Sequence, residues 1–250
     1  MRVDDRIAGR RAEVRAARRR ARLRRTLVVV GTVVLLVAGL WFEQSEYATV
    51  LGVEVEGDVR LDVDLVIATS GVSVGDGVAR VRPRRVGARV ESLTLVRSAE
   101  VSRRDLRHVV IRLVEREPIY VATHQRGSVL VDRDGVVIDE GTDPRLPVVR
   151  LATAPPEPGE LVAAHAALAN AHRVWTGLSG PLRSRVVEVL APDEDGLELI
   201  LEDAPVVRFG RAERMAEKIR AVGEILDDVA GSEVTVIDVR APGVPVVRID

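Results

Sequence analysis

Apolar and polar positions follow one another along this chain in three different rhythms. Residues 26–42 make a run of seventeen without a charge, bounded by Arg25 and Glu43, in a chain that is 30% charged. Beyond it, apolar residues recur at strand or helix spacing. Residues 50–55 (VLGVEV) predict a strand closed by Gly57-Asp58. Residues 61–69 (LDVDLVIAT) predict a short helix, with Asp62 placed to cap it. After the loop SGVSVGDG, Pro83 opens a helix over 84–93 with Val86 and Val90 on one face and Leu93 extending it. Residues 99–103 and 108–115 predict two strands, and the second alternates Val109, Ile111 and Leu113 against Val110, Arg112 and Val114. The order strand-helix-helix-strand-strand describes an α+β unit, a sheet covered on one face by two helices.

EREP at 115–118 closes that unit. SVLVDRDGVVID predicts a hairpin turning on Asp134-Gly135. ATAPPEPGE then breaks the chain, and a helix follows over 160–175 with Leu161, Leu168 and Trp175 on one stripe beside Ala164 and Ala171. Strands are expected at 186–190, 197–201 and 206–209, a helix over 211–227 carrying Met215, Ile219, Val222 and Leu226 on one face, and strands at 234–239 and 245–249. This second region is dominated by strands.

The uncharged run reads as a membrane-spanning helix. As a helix it extends about 25 Å at ~1.5 Å per residue, the short end of what a bilayer core of ~30 Å requires. Thr26, Leu27, Val34, Leu35 and Leu40 supply lipid-compatible surface, while Trp41 and Phe42 approach the far interface. A cleaved signal peptide would need small residues at its cleavage site, and AGLWFEQSEYA places bulky or charged ones there. Residues 1–25 hold eleven arginines and three acids, a net of +8 against −9 on the rest, within a total of -1. That asymmetry orients residues 1–25 to the cytoplasm and everything from Glu43 outward. Contact with anionic lipid explains the basic tail more cheaply than nucleic acid, because the tail has no aromatic residue to stack on a base. The chain has no cysteine, which excludes disulfides, Cys-ligated zinc and thiol nucleophiles.

Chemical motifs are few. GVSVG at 71–75 fits the pattern of a nucleophile elbow with Ser73 as nucleophile, but an elbow needs a strand before it and a helix after it. The same glycines lack the Gly-Lys-Ser/Thr of a phosphate loop. Asp132, Asp134 and Gly135 lack the twelve-residue calcium pattern and suit a turn better. His108, His124, His165 and His172 include no H-E-x-x-H, and His165 and His172 stand two helical turns apart, too far for one zinc. Lys218, the sole lysine, has no serine three residues before it. Glu115 and Glu117 read as a charge cluster at a strand end.

VEVEGDV at 53–59, ATSGVSVGDGV at 68–78, VIRLVEREPIYVA at 110–122, LVDRDGVV at 130–137, PRLPVV at 144–149 and VIDVRAPGVPVVR at 235–248 occur in this order behind the basic tail and apolar run. In that arrangement the chain resembles the FtsQ/DivIB family of bacterial cell-division proteins. The resemblance implies a basic cytoplasmic tail (1–25), a transmembrane helix (26–42), a βααββ POTRA domain (43–117) and a β-rich domain with two helices (118–250). It implies a non-enzymatic, single-pass scaffold of the plasma membrane that supports septum formation, without cofactor, metal, nucleic acid or small-molecule substrate. Its partners would be FtsB-like and FtsL-like single-span proteins, captured by strand addition at the C-terminal edge. Carried onto this sequence, the binding surface comprises Arg240, Val244, Val246, Val247, Arg248 and Ile249, with Met215, Ile219, Val222 and Leu226 beside it. The alternative from another class is a membrane-anchored exterior serine hydrolase using Ser73.

Overall fold

A computed structural model describes residues 25–37, 49–57, 60–202, 205–228 and 234–249. Residues 25–37 form a helix, α1, whose side chains are all exposed. Inside it the Thr32 hydroxyl donates to the Val28 carbonyl one turn back at 2.9 Å. The described helix runs about 20 Å at ~1.5 Å per residue. Among the described residues no helix is long and apolar enough to cross a membrane. The expected span reaches further, and its Leu40, Trp41 and Phe42 lie outside the described residues, as does the basic tail up to Arg24.

From residue 49 on the described residues form a mixed α+β protein of two compact units, one running to Val90 and including Ala99–Leu113, the other made of Glu91–Ser98 and the chain from Val114 on. The first contains β1 (Gly52–Glu56), α2 (Val63–Ser70), a 3-10 turn (Val78–Arg80) and α3 (Pro83–Val90). β2 (Val96–Arg103) and β3 (His108–Glu115) complete its sheet, ordered β1-β3-β2, with β1 parallel to β3 from Gly52↔His108 to Glu56↔Arg112. Asp62 caps α2 as expected, accepting the Asp64 N–H at 2.9 Å. α3 stops at Val90, so Leu93 falls outside it. Its buried face is Val86, Gly87 and Val90. Gly87 is needed there because a Cβ would sit 2.9 Å from the Ala99 carbonyl oxygen of β2.

The second unit is built on a nine-stranded sheet, ordered β12-β11-β10-β9-β8-β7-β4-β5-β6. The strands are β4 (Pro118–His124), β5 (Gly127–Asp132), β6 (Val137–Glu140), β7 (Val148–Leu151), β8 (Val186–Ala191), β9 (Glu198–Leu201), β10 (Val206–Arg208), β11 (Val234–Asp238) and β12 (Val246–Ile249). The helices are α4 (Ala166–Gly177), α5 (Gly180–Arg183) and α6 (Met215–Asp228). Parallel neighbours cannot be joined by a hairpin and need a crossover. Two helices provide it: α4 between the parallel β7 and β8, and α6 between the parallel β10 and β11. The core lies between these helices and the sheet, around Tyr120, Leu168, Trp175, Leu199, Phe209 and Ile237.

β4 and β7 are strands that the hydrophobic pattern did not announce. β4 opens on a proline, and its middle (Tyr120, Val121, Ala122) is buried without alternation, as in a central strand covered on both faces. The hairpin turns on three residues rather than two, since the Asp132 N–H donates to the Val136 carbonyl at 3.0 Å with Gly135 at φ 78. The helix expected from residue 160 begins at Ala166, after a 3-10 turn, Val162–Ala164. Leu161, outside it, is exposed.

Candidate partner-binding edge

β12 is the last strand of the large sheet, hydrogen-bonded to β11 alone among the described strands. The pairing is antiparallel, with Ile237 opposite Val247 and Asp238 opposite Val246. An edge of this kind presents N–H and C=O groups along its outer side. Pro245, just before β12, brings no N–H. The approach to β12 is a turn closed by the Val244 N–H on the Ala241 carbonyl at 3.0 Å.

Side chains along the edge divide sharply. Val247 is half-buried and packs on the core. Val244, Val246 and Ile249 are 75%, 61% and 61% exposed. Arg248 is exposed beside them. Arg240 is occupied by its neighbour: its guanidinium lies 2.6 Å from Asp238. That contact holds the Asp238 carboxyl below the usual carboxylate range and lifts the guanidinium above its own.

α6 is turned inward. Val222 is fully buried, and Met215, Ile219 and Leu226 are partly buried against the core. The four residues read as one face of the helix do form one face, but it is the face that covers the sheet. Lys218 lies on it too. It is 3% exposed and donates to the Phe209 and Arg211 carbonyls at 2.9 and 2.8 Å, with its ammonium 5.2 Å from the centre of the Phe209 ring. Burial pushes this lysine below its ordinary value. Asn170 of α4 completes the tie, donating to the Gly210 carbonyl at 3.0 Å and accepting the Ala212 N–H at 2.7 Å. These bonds fix the start of α6, and with it the β10-α6-β11 crossover that carries β11 and the edge. The sequence held a signal: Lys218 stands three residues after Met215 and four before Val222, on the apolar stripe.

The remaining candidates have structural employment. Ser73 is exposed after a helix, not a strand, and its N–H donates to Asp76 at 2.7 Å, so the strand-turn-helix context of a nucleophile elbow is missing. Asp132 accepts the Asp134 and Val136 N–H groups at 2.9 and 2.8 Å and pairs with Arg116 at 2.6 Å. His165 caps α4, accepting the Leu168 N–H at 3.2 Å. Of the expected spanning residues, Thr26, Leu27, Val34 and Leu35 lie on α1 and are exposed.

Residues 119–240 match the C-terminal domain of cell division protein FtsQ/DivIB, and residues 50–116 match the FtsQ-type POTRA domain. The first match ends before β12. Cell division protein FtsQ of Corynebacterium glutamicum is 30% identical over 203 residues, which cover 80% of this chain and 89% of that protein. FtsQ of Mycobacteroides abscessus is 29% identical over 185 residues, 73% of this chain and 56% of its own length. FtsQ of Mycolicibacterium smegmatis is 29% identical over 217 residues, 87% of this chain and 62% of its own. The chain thus spans less than two thirds of the two mycobacterial relatives.

Proposed function

Because the chain belongs to the FtsQ family of cell-division proteins, we propose that it is a non-enzymatic, single-pass scaffold of the bacterial division complex that captures partners by strand addition at β12. In this reading residues 1–25 are a cytoplasmic tail, 26–42 the span in the plasma membrane, 43–117 the POTRA domain and 118–250 the partner-binding domain, both outside the cytoplasm. The uncharged run between Arg25 and Glu43 and the arginine excess before it support the span and its direction. A single anchor keeps the exterior units in the thin layer where other single-span proteins move, which raises the effective concentration of any partner. FtsB-like and FtsL-like proteins are the partners the family resemblance suggests.

The observation that carries this reading is the coincidence of a strand edge unpaired among the described residues with three exposed apolar side chains, Val244, Val246 and Ile249. Backbone bonds would supply affinity, and those side chains the choice of partner. Photo-crosslinkers placed singly at positions 244, 246 and 249 in cells test it. Capture of a single-span division protein from these positions, and not from Val187 on β8, is expected. Equal capture from all four, or none from the edge, would refute the assignment.

A further inference from the structure

Elsewhere in the first unit arginines have fixed partners: Arg104 pairs with Glu54 and Glu56 at 2.6 and 2.9 Å, Arg112 with Glu56 at 3.0 Å, and Arg103 and Arg107 donate to the Val78 and Thr49 carbonyls at 2.9 and 3.1 Å. One stretch breaks that pattern. Between Asp76 and Glu91 the chain carries Arg80, Arg82, Arg84, Arg85 and Arg89 and no acid. All five are exposed. Among the described residues, no carboxylate pairs with Arg80, Arg82, Arg84 or Arg85.

Four of them, Arg80, Arg82, Arg85 and Arg89, line a groove of about 850 Å³ between the end of α2, the 3-10 turn and α3, with Asp76, whose carboxylate accepts the Ser73 N–H at 2.7 Å, on the same lining. Its floor is apolar, formed by Val72, Val81 and Val86. Its rim is held in place from the sheet: the Arg103 guanidinium donates to the Val78 carbonyl at 2.9 Å. Helix α3 adds to the field. Arg82 occupies the position before Pro83, its carbonyl accepting the Arg85 and Val86 N–H groups at 2.9 and 3.0 Å, and the first turn holds no acid. A helix start is already positive, and capping oxygens or acids normally answer it. Here three guanidinium groups are added instead. Such an arrangement costs local stability until an anion fills it, and guanidinium forks suit phosphate oxygens.

We propose that this groove binds the phosphate headgroups of anionic phospholipids, seating the POTRA domain on the membrane. The assignment rests on the reading of residues 26–42 as a bilayer span. From that span's end at Phe42 the six residues 43–48 reach at most about 20 Å, so the first unit stays beside the headgroup layer. Attraction to a charged surface fades over a Debye length of ~8 Å at physiological salt, and a tether of at most about 20 Å lets the groove come within that range of the headgroups. A membrane surface also offers many phosphates at once, matching four guanidinium groups around one concavity.

Hydrogen exchange of the full chain in lipid nanodiscs tests it, comparing phosphatidylcholine alone with phosphatidylcholine mixed with phosphatidylglycerol. Exchange over residues 78–90 is expected to slow several-fold in the anionic discs, to recover in high salt, and to be indifferent to lipid in the double variant Arg82→Glu/Arg85→Glu. Unchanged exchange of β3 in that variant verifies that the unit remains folded. Equal exchange of residues 78–90 in both discs overturns the proposal. Protection by soluble poly(glycerol phosphate) in neutral discs, with none from phosphatidylglycerol, overturns the lipid assignment in favour of a phosphate polymer. A chain that associates with neither disc overturns the span, and with it the tether on which the proposal rests.

Discussion

The Tyr120 hydroxyl on β4 lies 3.1 Å from Nδ1 of His172 on α4, a side chain–side chain bond between the middle of the large sheet and one of its crossover helices. Tyr120 is fully buried and His172 half-buried, with ring centroids 5.9 Å apart. A neutral imidazole accepts this bond through Nδ1 and carries its proton on Nε2. Burial pushes the His172 imidazole below its ordinary value of 6.5, against the opposing pull of the Asp132 charge, a bond it donates to the Arg133 backbone carbonyl and the charge of Asp134.

The sign of the pH effect follows. Because the folded state resists protonation more than the unfolded chain, stability is full above the unfolded value of about 6.5 and is lost as pH falls toward the lower folded value. The melting temperature should therefore drop as pH falls below about 6.5. His172→Asn, which keeps an acceptor but cannot titrate, should flatten that slope. An identical slope in the variant would show that other groups set it.

Tyr120→Phe removes the same bond without changing the fit of the ring. A loss of about 1–2 kcal/mol is expected, the ordinary cost of leaving a buried polar partner unanswered. Urea unfolding of the variant beside the parent measures it.

Asp132→Ala should be far more damaging. The Asp132 side chain is 2% exposed and Arg116 17%, so the substitution leaves a largely buried guanidinium with the more distant Asp134 carboxylate at 3.5 Å and opens two N–H bonds of the β5–β6 turn. Breaking a buried pair from one side costs about 3–5 kcal/mol. Chemical denaturation would reveal it, and a cost within the range of surface substitutions would show that Arg116 finds other company.

Lys218→Met keeps the length of the side chain and removes its charge and donors. The Phe209 and Arg211 carbonyls then lose their partner, for a cost of about 1–3 kcal/mol. Hydrogen exchange should rise along α6 before it rises along β4, since α6 is the element Lys218 ties down.

Gly57→Ala tests the first unit. Gly57 has φ 133, and a Cβ there would meet the Leu113 carbonyl oxygen at 2.6 Å. Both the dihedral and the contact oppose a side chain, so a cost of at least about 1–3 kcal/mol is expected. Proteolysis of the variant should open the first unit while leaving fragments of the second intact.

Local rules were strong enough to mark what depends on a few neighbouring residues. The Asp62 cap, Pro83 at the start of α3, the alternation of β3 and the apolar stripe of α6 were all legible, since each is a repeat or an end signal within one or two turns. β4 and β7 were not. A central strand buried on both faces loses the two-residue rhythm, and one of four residues after Pro147 is too short to show any. Nor could periodicity tell whether the α6 stripe greets a partner or covers a sheet. The same pattern serves both, and the choice falls to what packs opposite.

By itself, then, the sequence determined the apolar run and its basic flank, the order of the two units, the family resemblance and the α+β class, because composition, charge and short-range periodicity are properties of consecutive residues. The tertiary structure alone decided that β12 ends a nine-stranded sheet, that Val222 and Lys218 lie inside, and that four arginines surround one groove. Those facts depend on which distant segments meet, and burial and pairing are fixed by the partner across the contact rather than by the chain that carries it.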